Sequence, residues 1–116
     1  MKTSALTGKK LDHWVSKARG WELHKNGYWK ISQDGLVKKG PIHNYTPSTN
    51  GGQCFKLMQT PTFNWVQSLP VARVDIGKTF EAQFEGNKLE SSYGPTLNIA
   101  ICRAFVASVY GDEVDE

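Results

Sequence analysis

The chain has 116 residues, 39% of them hydrophobic, with 14 Lys/Arg against 11 Asp/Glu and a formal charge of +3. That length is one domain, and that apolar content excludes a disordered chain. Four of the acidic residues, Asp112, Glu113, Asp115 and Glu116, crowd the tail, so the rest carries 14 basic against 7 acidic residues and favours an anionic partner.

Residues 4–19 are expected to form a first helix. Thr7 is its N-cap, Leu11, Trp14, Val15 and Ala18 are its apolar face, and Gly20 is its stop. Trp21–Lys25 and Tyr28–Ile31 flank Asn26-Gly27, a two-residue hairpin signal. Asp34-Gly35 marks a further turn leading to a short strand at 36–38. Residues 40–53 are polar and turn-rich and read as one long loop, a length that is usually functional or mobile. Residues 53–59 are ambiguous: Cys54, Phe55, Leu57 and Met58 fit one helical face, but the run is short. Strands are expected at 63–66 and 71–76. Residues 79–85 alternate cleanly and turn at Gly86-Asn87 toward 88–91.

The final third predicts a long helix, with Pro95 at its first position and Gly111 at its stop. It is apolar on nearly every side, so either the rest of the domain or a second copy of the chain must cover it. Arg103, the one charge inside it, needs a partner, which is either an internal acid or a ligand's phosphate. The expected fold is therefore α+β. It is a small single domain, 1–116, in which an antiparallel sheet of hairpins packs with an N-terminal and a long apolar C-terminal helix, followed by a flexible acidic tail, 112–116. The N-terminus lacks the apolar core of a secretory leader, and no apolar run is long enough to span a bilayer. Cys54 and Cys102 form no spaced motif and read as buried thiols of a reducing cytosol, without a disulfide.

Little in the chain suggests catalysis. His13, His24 and His43 have no metal-ligand spacing, and no paired carboxylates occur outside the tail. Cys54 follows a glycine-rich turn, which would suit an activated thiol, but a small buried hydrophobe is the better account. Anion recognition fits more residues. Ser48 and Thr49 offer hydroxyls, and Gly51 and Gly52 allow close backbone approach, although the P-loop lysine and spacing are missing. Thr96 stands at the start of the C-terminal helix, where orphan N–H groups favour a negative group. Tyr45 and Tyr93 lie beside these two places and can clamp a base or sugar, as can Trp21 and Trp29 if they face each other across the first hairpin.

The two ends of the chain resemble the NinX-type phage proteins. The resemblance is carried by Leu6-Thr-Gly-Lys-Lys-Leu-Asp-His-Trp-Val-Ser-Lys-Ala-Arg-Gly20, by Tyr45-Thr-Pro-Ser-Thr-Asn50 with Gly51-Gly52, and by Tyr93-Gly-Pro-Thr-Leu through Arg103, Val106-Ala-Ser and Gly111-Asp-Glu-Val. These blocks cover about half the chain and fade between Gln53 and Glu90. The family continues the Ser-Thr block with an acid where this chain has Asn50. The resemblance implies a phage or prophage origin and the cytoplasm of an infected bacterium. By analogy with other small phage proteins it suggests an anti-defence role.

The resulting expectation is a homo-oligomeric, non-catalytic sponge that binds a nucleotide-derived immune signal, a cyclic ADP-ribose or ADP-ribose type or a cyclic dinucleotide, without cleaving it. No cofactor or metal is expected. The ligand residues would be Ser48, Thr49, Gly51, Gly52 and Thr96 for phosphates, Arg103 for charge, and Tyr45 and Tyr93 for base or sugar. The alternatives are a protein–protein inhibitor of a host defence enzyme and a nucleic-acid-binding accessory protein.

Overall fold

The computed structural model describes residues 1–23, 44–69, 79–85 and 91–115, together with the strand backbone at 29–33 and 37–42. A short 3-10 turn, Thr3–Ala5, leads into helix α1, Gly8–Ala18. Strands β1 (Glu22–Leu23), β2 (Trp29–Gln33) and β3 (Val37–Ile42) form one antiparallel sheet in that order. Helix α2 is Gly51–Met58. Strands β4 (Phe63–Ser68), β5 (Phe80–Phe84) and β6 (Ser92–Gly94) form a second antiparallel sheet, and helix α3, Leu97–Tyr110, closes the chain. The α+β class and its two framing helices agree with expectation.

Several boundaries differ for identifiable reasons. β3 extends through Gly40, Pro41 and Ile42, so the long loop expected at 40–53 begins later, and α2 starts at Gly51. The run 53–59 is helical as far as Met58, in a helix that Asn50 caps: its Oδ1 accepts the Gln53 N–H at 2.9 Å. In the first hairpin Leu23 stands opposite Trp29. That is one residue away from the register a two-residue Asn26-Gly27 loop imposes. Asn26-Gly27 itself, the Asp34-Gly35 turn, the strand at 71–76 and the Gly86-Asn87 turn lie outside the described residues.

The second sheet is the scaffold for α3. In β5, Ala82 and Phe84 are buried while Glu81 and Gln83 alternate with them. In β4 a register shift between Phe63 and Trp65 inserts one extra residue. That bulge lets both Phe63 and Val66 pack on the core although they are three apart. Gly94 of β6 is required by close approach, because a Cβ there would sit 2.6 Å from the Ala100 amide nitrogen in the first turn of α3.

α3 starts two residues later than Pro95 suggested. Thr96 is its N-cap, with Oγ1 accepting the Ile99 N–H at 3.1 Å, and Gly111 ends it at φ 84°. Seven consecutive residues, Ala100 to Val106, are buried. The chain's own α1, α2 and second sheet cover them, with Phe84 lying edge-on to Phe105 at 5.5 Å. Burial of side chains such as Ile101 or Val106 stabilises by about 1.5–3 kcal/mol each. The acidic tail turns back to the N-terminus: Thr3 N–H donates to the Asp112 carbonyl at 2.7 Å, Val114 N–H to the Met1 carbonyl at 2.9 Å, and Val114 is buried.

Candidate functional site

The eight residues expected to bind a ligand fall into two groups, and most are engaged by the fold. Asp12, the second residue of a buried Leu11-Asp12 pair on α1, accepts the Ser48 N–H at 2.8 Å. Burial raises its carboxyl above the ordinary aspartate range, opposed by the hydrogen bonding from Ser48. Ser48 Oγ is itself buried and meets no partner in good geometry, although it lies close enough to the carboxylate to help hold its charge. Tyr45 is buried edge-on against Trp21 at 4.6 Å, and its hydroxyl accepts from Arg19 Nη1 at 3.1 Å. The Arg19 guanidinium also covers the Trp21 ring at 4.5 Å. Burial pushes the Tyr45 phenol up in spite of that arginine.

Gln53 completes the loop. Its side chain accepts from the Thr46 amide at 2.7 Å and donates to the Asn44 carbonyl at 3.2 Å, while Asn50 N–H returns to the Thr46 carbonyl at 2.8 Å. This bonding turns 44–50 into a compact entry to α2. Thr49, Gly51 and Gly52 remain exposed at its outer end.

Arg103 is 8% exposed. Nε donates to the Leu6 carbonyl at 2.9 Å, and Nη1 to the Tyr93 carbonyl, also at 2.9 Å. Among the described residues its partners are carbonyl oxygens and not an acid. It ties the entry of α1 to β6, an outer strand of the second sheet, and so covers backbone that an edge leaves unpaired. Burial lowers its affinity for the proton. Tyr93 is half-buried, and Thr96 is exposed but already serves as the α3 cap. The structure does bring the two expected regions together: Cys54 Sγ in the first turn of α2 lies 3.9 Å from the Asn98 carbonyl in the first turn of α3.

A different surface has the shape of a binding site. A groove of about 410 Å³ runs along α1 beside the tail, lined by Lys9, Lys10, His13, Trp14, Lys17, Met1 and Asp115. The helix sets their spacing: Lys9, His13 and Lys17 recur every four residues and share one face. The buried positions Leu11, Asp12, Val15 and Ser16 hold the opposite face against the core. Trp14 is half-buried between these faces. Tyr110 lies edge-on to its ring at 5.3 Å and His13 at 5.9 Å, while Lys17 Nζ stands 4.6 Å from the ring centre. Burial, reinforced by Lys17, holds His13 below its ordinary pKa, so the imidazole is neutral at neutral pH.

The groove thus offers three ammonium groups, a neutral imidazole and an indole against one rim carboxylate, Asp115. In the sequence Trp14 reads as part of the core face, against which it does partly pack, and the lysines read only as net charge. The four-residue spacing of Lys9, His13 and Lys17 was the available signal. Among the described residues no group of His, Cys, Asp and Glu is arranged to hold a metal, and no helix is long and apolar enough to cross a membrane. Compared with known protein families and with curated proteins, the chain matches none.

Proposed function

We propose that this protein is a non-catalytic binding protein that sequesters a phosphate-bearing nucleotide signal in the α1 groove, acting for a phage against host defence. The groove is the observation that carries the reading: its volume of about 410 Å³ falls within the range of small-molecule sites. Lys9, Lys10 and Lys17 supply point charges for phosphates, and Trp14 supplies a ring against which a base can pack once Lys17 swings onto the phosphate. The phage setting and the nature of the signal rest on the NinX-type resemblance of the two ends and on analogy with nucleotide sponges. A homo-oligomer is part of that analogy, since α3 is already covered within one chain.

The test is mass spectrometry of small molecules released by heat from protein incubated with TIR-made cyclic ADP-ribose isomers and with cyclic dinucleotides. Recovery of one intact nucleotide is the expected result. An altered product would replace sequestration with catalysis, and release of nothing from folded protein would overturn the reading. A row of lysines on one helix also suits a nucleic-acid backbone. In that case binding to an oligonucleotide, and not to a nucleotide, falls by orders of magnitude between low and moderate salt.

A further inference from the structure

We propose that Cys54 and Cys102 form a peroxide-reactive dithiol that closes to a disulfide between α2 and α3. Both thiols are free and buried, Cys54 1% exposed and Cys102 fully enclosed. Their convergence follows from helix geometry. Cys54 Sγ lies 3.9 Å from the carbonyl of Asn98, which is four residues before Cys102 on α3. Helical side chains lean toward the N-terminus, so the Cys102 thiol also lies over the Asn98 turn. Two thiols directed at the same turn from two packed helices meet. A bridge needs Cα atoms within about 7 Å, a separation that helices reach where small residues face each other.

The contact also divides the roles. Hydrogen bonding from Cys102 holds the Cys54 thiol below the ordinary cysteine range against the opposing effect of burial, whereas Cys102 is pushed up by the same contact and by burial. Cys54, in the first turn of the short α2, is the thiol that local opening exposes, so it is the nucleophile and Cys102, inside α3, is the resolving thiol. The oxidant is a hydroperoxide. The Cys54 thiolate attacks the terminal peroxide oxygen, the O–O bond breaks, and a sulfenic acid forms as water leaves. The Cys102 sulfur then displaces the sulfenic hydroxyl as a second water, and the S–S bond forms. The two thiols lose two electrons and two protons in total, and hydrogen peroxide is reduced to two waters. Access comes from α2, which has eight residues and opens with Gly51-Gly52. An eight-residue helix opens locally more readily than the fourteen-residue α3.

The experiment treats the reduced full chain with a few equivalents of hydrogen peroxide, without denaturant, and follows it by intact mass and non-reducing peptide mapping. The expected result is loss of two hydrogens, a thiol count falling from two to zero, and one cross-linked peptide joining Cys54 to Cys102, all reversed by dithiothreitol. In Cys102→Ala the reaction should stop at Cys54 as a sulfenic acid trapped by dimedone. The proposal is overturned if the wild-type chain keeps both thiols, takes up oxygen at either cysteine without a link, or links only between molecules. The wild-type arms decide the matter even if the variant fails to fold.

Discussion

Two polar regions of this molecule are chemically similar and physically opposite. The first comprises Asp12, Tyr45, Ser48 and Arg103, with the Arg19 and Gln53 side chains around them. The second comprises Lys9, Lys10, His13, Trp14 and Lys17. In the first, every donor or acceptor named above meets the backbone or another side chain, apart from the Ser48 hydroxyl, and Arg103, Asp12, Tyr45 and Ser48 are buried. In the second, the cations line an open groove. Polar residues in a sequence therefore indicate function only when the fold has not already used them. A buried polar group must be satisfied internally, whereas a solvated one is available to a ligand.

The largest expected effect breaks the first region. Arg103→Met keeps much of the side-chain volume but removes the donors to Leu6 and Tyr93, leaving two carbonyls short of a partner. Chemical denaturation should show a loss of about 3 kcal/mol, with a fall in Tm of roughly 10–20 °C. Arg103→Lys should recover only part of this, since one ammonium does not reproduce the two-pronged fork. If Arg103→Met were instead as stable as the parent and failed only to capture nucleotide, Arg103 would belong with the ligand groups and the contrast between the regions would fail.

Next in size is the effect of stripping the groove. Lys9→Ala, Lys10→Ala and Lys17→Ala should each leave stability within about 0.5 kcal/mol of the parent. Each should weaken capture of the nucleotide about tenfold, the loss of one charge-assisted contact. Isothermal titration beside a thermal melt separates the two readouts. Thr49→Ala, at the exposed end of the first region, should leave affinity unchanged. Loss of binding there, with the lysine variants unaffected, would move the site to the helix starts.

Local pattern explains most of what was legible. α1 and α3 carry apolar residues at helical spacing between recognisable start and stop residues, and β5 alternates, so each is specified by residues within one turn or one strand. α2 stayed ambiguous because eight residues hold too few periods, and its deciding contact, the Asn50 cap, is a single side chain. The inward pair Phe63 and Val66 could not be read because a bulge breaks the period of two. The roles of the predicted site residues depend on partners far along the chain: Ser48 on Asp12, Tyr45 on Arg19, Arg103 on Leu6. No window of sequence contains such pairs. The groove was closer to legible, since Lys9, His13 and Lys17 share one helix face, but what leaves that face open is the packing of the opposite one.

The smallest predicted effect concerns charge inside the first region. Asp12 is 6% exposed and burial raises its folded pKa, while the unfolded chain keeps the ordinary value, about 3.9. Between that pH and the raised folded value, the folded protein holds a proton that the unfolded chain has released. Stability therefore falls as pH rises through this window, and below it the group contributes no slope. Above this window the carboxylate is ionised and its burial is a cost, offset in part by the Ser48 amide. Asp12→Asn retains an oxygen for that amide, carries no charge, and adds an N–H that can reach the Ser48 hydroxyl. Urea titrations from about pH 4 upward should lose the slope attributable to this group, with stability above the window equal to the parent's or higher. A variant losing more than about 2 kcal/mol at pH 7 would show that the negative charge itself is needed. Asp12 would then answer a cation and not only the backbone, and the region read as internally satisfied would contain an ionic site after all.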